Sequence, residues 1–299
     1  MTPLLDTHHV RRAFSRSAGS YAAVAALQRE VEGRLLESLD YLGDHAPQVV
    51  LDVGSGPAHA AVMMKRRWPK ARVIAVDLAL PMLRESQRKA GWLQRALDRD
   101  IARVCADAGA LPLADASVDV LFSNLCLQWV EDLPAVFAGF RRVLKPGGLL
   151  LCSTFGPETL VELREAFAAA DEAPHVSPFA DIARFGDALM HAGFRDPVLD
   201  RDLFTLYYPD LPALMRTLRA MGATNALHAR RQTLTGRARF TAAASAYEPL
   251  RGDAGLPATW EAIYAHAWAP ASGAPIRAGG SEMAAVPVSA IPIRRKDAR

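Results

Sequence analysis

Apolar residues recur at helical spacing through the first forty positions: Val10, Phe14, Tyr21, Val24, Leu27, Val31, Leu35 and Leu39. This spacing predicts one or two amphipathic helices ahead of any strand. The pattern then changes to short unbroken apolar runs separated by amphipathic stretches. The runs predict strands at 49–53, 72–77, 101–105, 118–123 and 148–153, and the stretches predict helices at 57–68, 81–90 and 132–144. Pro57 falls in the first turn of one helix and Pro81 opens the next, where a missing N–H costs nothing. The turn KPGG (Lys145 to Gly148) separates the last helix from the last of these strands. Strands separated by single helices imply an α/β protein with a parallel sheet and right-handed crossovers.

Beyond residue 154 the pattern loosens. TLVELREAFAAA and DIARFGDALMHAGF read as helices, the second ended by Gly193, with the proline-bounded loop PHVSPF between them. Residues 194–208 read as extended and kinked at Pro197. Helical stretches at 210–221 and 236–250 follow, then the β-capable segment ATWEAIYAHAW. Residues 269–299, rich in Ala, Pro, Gly and Ser, are expected to pack loosely or be disordered.

The chain has 299 residues, 51% of them hydrophobic, enough for a sizeable core in one domain with insertions. It contains no apolar run of about 18 residues, so no membrane span is expected. MTPLLDTHHVRRAF lacks the basic-then-apolar order of a signal peptide. Cys105, Cys126 and Cys152 sit in or near apolar segments and form no CxxC pair, which fits a reducing cytoplasm and argues against zinc or any other metal site. The net charge of +3 is too small to argue for nucleic acid.

The candidate chemistry starts at VVLDVGSG (49–56). A buried strand ending in Asp52 enters a tight loop through Gly54 and Gly56, and VIAVDLA closes a second strand on Asp77, beside Leu78. Strand ends of this kind hold adenosine-containing cofactors in open α/β sheets, with the acid taking the ribose hydroxyls. The loop, GSGPAHA, has His59 where a dinucleotide fingerprint needs its third glycine, and this disfavours NAD. Asp107 follows the third strand. An acid there, with the N–H of Ala108, can pair with an adenine edge. Asn124 ends the fourth strand, facing the crevice.

Over residues 45–155 this ordered set resembles the class I S-adenosylmethionine-dependent methyltransferases, whose fold would be a Rossmann-like seven-stranded sheet with one antiparallel strand. That family's loop reads D-x-G-x-G-x-G, and this chain has Ala58 at the last glycine. The segments RRAFSRSAGSY, SNLCLQWVEDLP, STFGPETLVELREAF, HVSPF, GATNALHARR and GLPATW together resemble one subfamily, the malonyl-acyl carrier protein O-methyltransferases of biotin synthesis. The resemblance implies methylation of the free carboxylate of a malonyl thioester on acyl carrier protein. An ionised carboxylate needs no general base, and no Ser-His-Asp or Cys-His arrangement is evident.

Within that resemblance, residues 1–45 would be a helical cap and 46–268 the methyltransferase domain, with a helical insertion at about 209–250 before the last strand. Tyr21 matches the family tyrosine that would lie over the sulfonium and contact the malonyl carboxylate. Gln128 and Trp129 would line the acceptor pocket. Arg164 and Arg231 are candidate cations for the carboxylate, and His175 reads as a loop hydrogen-bonder. Arg11, Arg12, Arg16, Arg216, Arg219, Arg230 and Arg231 could form a landing surface for an acidic carrier protein. Three alternatives stay open: a small-molecule carboxylate methyltransferase, a protein-arginine hydroxylase acting in respiratory complex assembly, which resembles the same segments, and a protein that binds the cofactor without turnover.

Overall fold

In the computed structural model, which describes residues 4–89, 100–231, 233, 236–273, 276–278 and 281–283, two helices precede the sheet. They are α1 (Thr7–Val24) and α2 (Ala26–Glu37). The Asp6 carboxylate caps α1 by accepting the His9 N–H at 2.9 Å. The strands β1 (Val49–Val53), β2 (Arg72–Asp77), β3 (Ile101–Cys105), β4 (Val118–Ser123), β5 (Leu144–Phe155), β6 (Arg195–Tyr208) and β7 (Leu256–Trp268) form one sheet in the order β3-β2-β1-β4-β5-β7-β6. β1 to β5 pair in parallel, and β7 runs antiparallel to both its neighbours. The four residues that close β1, Val50, Leu51, Asp52 and Val53, are buried on both sheet faces, as a central parallel strand requires.

The helices α3 (His59–Arg67), α4 (Leu80–Lys89), α5 (Leu133–Val143), α6 (Val161–Ala168), α7 (Ile182–His191), α8 (Leu211–Ala220) and α9 (Arg237–Tyr247) complete the main fold. One face of the sheet packs on α5 and α7 through Phe137, Phe140, Phe185 and Leu189, and the other on α3 through Ala61, Val62 and Met64. A third cluster joins α6, α8 and α9 to β7 around Trp260, Phe167 and Tyr247. α5 and α8 begin alike: in each Asp-Leu-Pro start the aspartate accepts the N–H three residues on (Ala135 at 3.0 Å, Ala213 at 2.6 Å) and proline fills the first turn. Strand order reverses between β1 and β4, so the crevice opens at their carboxyl ends.

Three local expectations change. Pro57 precedes α3 rather than entering it, because Ala58 takes a left-handed conformation (φ 62°) and the helix starts at His59. KPGG does not separate α5 from its strand. Pairing begins at Val118 opposite Leu144 and resumes at Val120 opposite Leu149, so the four residues loop out within β5. The Lys145 ammonium donates to Asp119 at 2.7 Å, and a Cβ on Gly148 would meet the Lys145 carbonyl at 2.9 Å. The third concerns the last segment, which is packed where it leaves β7: buried Ala269 exchanges backbone hydrogen bonds with Gly147 and Gly148. A short hairpin, β8 (Ile276–Ala278) with β9 (Ser281–Met283), follows, and the expectation for 284–299 lies outside the described residues. Among the described residues no helix is long and apolar enough to cross a membrane, and no cluster of metal-ligating side chains occurs.

Candidate active site

A cavity of about 380 Å³ sits at the ends of β1, β2 and β4, roofed by α1 through Val10, Phe14 and Tyr21. Its floor is the turn after β1. Gly54 has φ 72°, and a Cβ there would lie 2.4 Å from Cys126 Cβ, so only glycine lets the turn pass under the β4 loop. Gly56, also left-handed, donates its N–H to Asp77 Oδ2 at 2.9 Å. Asp77 Oδ1 accepts from the Ala79 N–H at 2.7 Å. The carboxylate that closes β2 thus staples the glycine turn to the start of α4, while burial raises its pKa. Leu78, Asp107, Ala108 and Gly109 complete the far wall, and Asp107 Oδ1 accepts the Gly109 N–H at 2.8 Å.

A smaller cavity of about 200 Å³ adjoins the first, sharing Tyr21, Gly54, Gly56 and Asn124 with it. Asp52 belongs here, beneath the turn, and not on the floor of the main cavity. Its Oδ2 faces the Ala61 N–H at 3.2 Å, and burial, then the charge of Glu32, raises its pKa well above the ordinary carboxylate value. Gln28 Oε1 and Ser55 Oγ, from residues lining this cavity, are buried without a hydrogen-bond partner. Arg29 lines it too and donates to the Ala22 carbonyl at 2.7 Å. None of these three residues stood out in the sequence. The available signal was Gln28, a polar residue beside Leu27 on the apolar stripe of α2.

Asn124 lines both cavities, and each end of its side chain has a protein partner: Nδ2 donates to the Gln28 carbonyl at 3.1 Å and Oδ1 accepts from Ser153 Oγ at 2.7 Å. Cys126 also lines the main cavity, and burial, then the charge of Asp77, pushes its thiol up to about 12. It is therefore a neutral thiol at neutral pH, not a competing nucleophile.

A third cavity, about 270 Å³ and mostly apolar, lies behind Trp129, which walls it from the first. The ring of Trp129 meets Phe14 of α1 edge-on, with centroids 5.3 Å apart. Gln128 donates through Nε2 to the Leu125 carbonyl at 2.6 Å, leaving its buried Oε1 without a partner. Trp260 Nε1, from another residue of this cavity, is likewise unpartnered. His175 stacks on Phe167 at 4.0 Å and bonds Asp171 at 2.9 Å, so it is both a wall and a loop hydrogen-bonder.

Neither proposed cation reaches these chambers. Arg164 donates to the carbonyls of Pro157 and Thr159 at 2.9 and 3.1 Å and pins their loop. Arg231 faces Asp171 at 3.4 Å. Arg230 is likewise engaged, by Asp6 at 2.9 Å. The cation that does line the third cavity is Arg219 of α8.

A glycine turn and two strand-end acids under a helical roof, at the switch point of this strand order, mark the crevice of a Rossmann-like, class I methyltransferase fold. Residues 51–152 match the family described as Methyltransferase domain. The fold is also that of phosphoethanolamine N-methyltransferase 2 of Haemonchus contortus, solved with S-adenosyl-L-methionine. That likeness has a TM-score of 0.52 at 16% identity and covers 86% of this chain and 57% of that one. More narrowly, the chain belongs to the malonyl-[acyl-carrier protein] O-methyltransferase family. It is 61% identical to the Xylella fastidiosa (strain M23) protein of that name over 99% of both chains, and 45% identical to the Gallionella capsiferriformans (strain ES-2) protein over 90% of this chain and 92% of that one.

Proposed function

We propose that this protein transfers the methyl group of S-adenosylmethionine to the free carboxylate of a malonyl group carried on acyl carrier protein, in the cytoplasm and on the route to biotin. The observation that carries this reading is the pair of chambers divided by Trp129, one carrying the strand-end acids Asp77 and Asp107 and one without a carboxylate in its lining, with Tyr21 on the roof of the first. Cavities in the range of roughly 300–1,000 Å³ suit small ligands.

The residues present fit the cofactor. Asp77 would take the ribose hydroxyls, Asp107 with the Ala108 N–H the adenine edge, and Leu78 would pack on the base. Gly54 and Gly56 leave room for the chain, and the unpartnered Gln28 Oε1 and Ser55 Oγ suit its amino-acid end. When bound, the cofactor supplies a methyl group already activated on a sulfonium. The protein then has to orient the acceptor and exclude water, and proximity of this kind is worth about 7–11 kcal/mol.

Tyr21 is held neutral, because burial first, then Glu32 and Asp77, raises its pKa. Its hydroxyl is therefore a hydrogen-bond donor and not a base. Donation to one carboxylate oxygen would leave the other free to attack. Residues 1–45 would act as the cap, 46–268 as the methyltransferase domain, and 209–250 as the inserted wall of the acceptor chamber.

The test is incubation with methyl-labelled S-adenosylmethionine and malonyl-acyl carrier protein, read by mass. One added methyl on the malonyl group is expected. Transfer to free malonate but not to the carrier-bound group would mark a small-molecule enzyme, and no transfer to any acid would overturn the reading.

A further inference from the structure

The seven arginines that stand out in the sequence do not form one surface. Four of them, Arg12 and Arg16 from α1 and Arg216 and Arg219 from α8, line a groove of about 560 Å³ where those helices meet. The groove also carries His9 and Thr224, and no carboxylate is among its lining residues. All four arginines are exposed. Among the described residues, Arg12, Arg16 and Arg219 have no hydrogen-bond or carboxylate partner, and Arg216 has only Asp210 at 3.9 Å. Like charges gathered in a concave site without counter-charge raise the local concentration of anions.

The groove does not end blindly. Arg219 and Thr224 line both it and the apolar cavity behind Trp129, and Trp129 lines both that cavity and the cofactor cavity. A basic groove, an apolar passage and a chamber holding the strand-end acids therefore lie in sequence. The residues of the passage include one unpartnered buried acceptor, Gln128 Oε1, and one unpartnered buried donor, Trp260 Nε1. A flexible chain that carries amide groups satisfies both kinds of orphan.

We propose that the groove between α1 and α8 is a phosphate subsite, which anchors the phosphodiester at the root of the carrier's pantetheine arm while the arm runs through the apolar cavity to Trp129. This rests on the reading under Proposed function and adds where the tether is gripped. Arginine suits the role because its planar fork matches phosphate oxygens two at a time.

The experiment compares kcat/KM for malonyl-acyl carrier protein, malonyl phosphopantetheine and malonyl pantetheine, in the wild type and in the Arg16→Gln, Arg219→Gln double variant. Both side chains are exposed, so the fold should survive, and a melting curve and the cofactor Kd check this. A charge-assisted phosphate contact is expected to give the wild type at least about a tenfold preference for phosphopantetheine over pantetheine. The double variant should lose most of that preference, with a matching loss on the carrier protein.

A loss confined to the carrier protein would mean that the arginines meet the carrier's own acidic surface, and would overturn the phosphate subsite. So would a wild type that does not discriminate the two small thioesters, rejection of both included. If malonyl-acyl carrier protein itself is not methylated, it is the functional reading that fails, and the subsite falls with it.

Discussion

Gly54 is the position where the glycine turn after β1 is most exposed to a single atom. In Gly54→Ala two costs add. The left-handed φ of 72° costs an L-residue about 1–2 kcal/mol. The new methyl would also stand 2.4 Å from Cys126 Cβ and 2.5 Å from its Sγ, a backbone-anchored clash with no flexible end to swing away. Overpacking of this kind typically costs about 1–3 kcal/mol. The total expected loss is about 2–5 kcal/mol, read by urea unfolding with matched m-values.

The structure then separates the two terms. Cys126→Ala keeps the offending Cβ and should rescue little. Cys126→Gly removes both close atoms, and the next neighbour, Cys126 Cα, lies at an ordinary 3.6 Å. The Gly54→Ala, Cys126→Gly double variant should therefore recover the steric part, giving a coupling of about 1–3 kcal/mol in a double-mutant cycle, while the backbone strain persists. If Cys126→Ala rescues as well as Cys126→Gly, or if Gly54→Ala costs less than about 0.5 kcal/mol, the account of this turn is wrong.

Other expectations concern the same crevice. Tyr21→Phe should lower kcat/KM for the malonyl substrate about 10- to 100-fold, the worth of one hydrogen bond to a charged group, with little change in cofactor affinity measured by calorimetry. An unchanged kcat/KM would remove the tyrosine from the reaction. Asp77→Asn can accept from the Gly56 or the Ala79 N–H through its one remaining oxygen but not satisfy both, so cofactor binding should weaken by about 10-fold or more; full affinity would dissociate Asp77 from the ribose. Asp52 has a folded pKa raised by burial, so the folded state holds its proton more tightly than the unfolded chain. Its contribution is therefore fully present below about pH 4 and is lost as pH rises through the raised value. Asp52→Asn should make the cofactor-free protein more stable than wild type at neutral pH and not at pH 4, in paired urea titrations, and a gain that does not depend on pH would contradict this origin.

Much of the sheet was legible because its strands are short apolar runs closed by acids or glycines. β1 to β4 fall where the pattern puts them, and so do the strand-end residues Gly54, Gly56, Asp77 and Asp107 that line the main cavity. What sequence hid was set by partners far along the chain. KPGG reads as a turn between elements, yet Asp119 and the β4 register fold it into a strand. Asn124 reads as a strand-end group facing the crevice, yet its amide also bonds the Gln28 carbonyl and Ser153. Arginines illustrate the limit best. Seven look alike in one dimension, and only the crossing of α1 with α8 sets four of them around one groove, while Asp6 and Asp171 hold Arg230 and Arg231.

The first helix does double duty, with one side forming the ceiling over the main cavity and another forming a bank of the arginine groove. A shift of that rod toward either cavity is therefore expected to reshape the other as well.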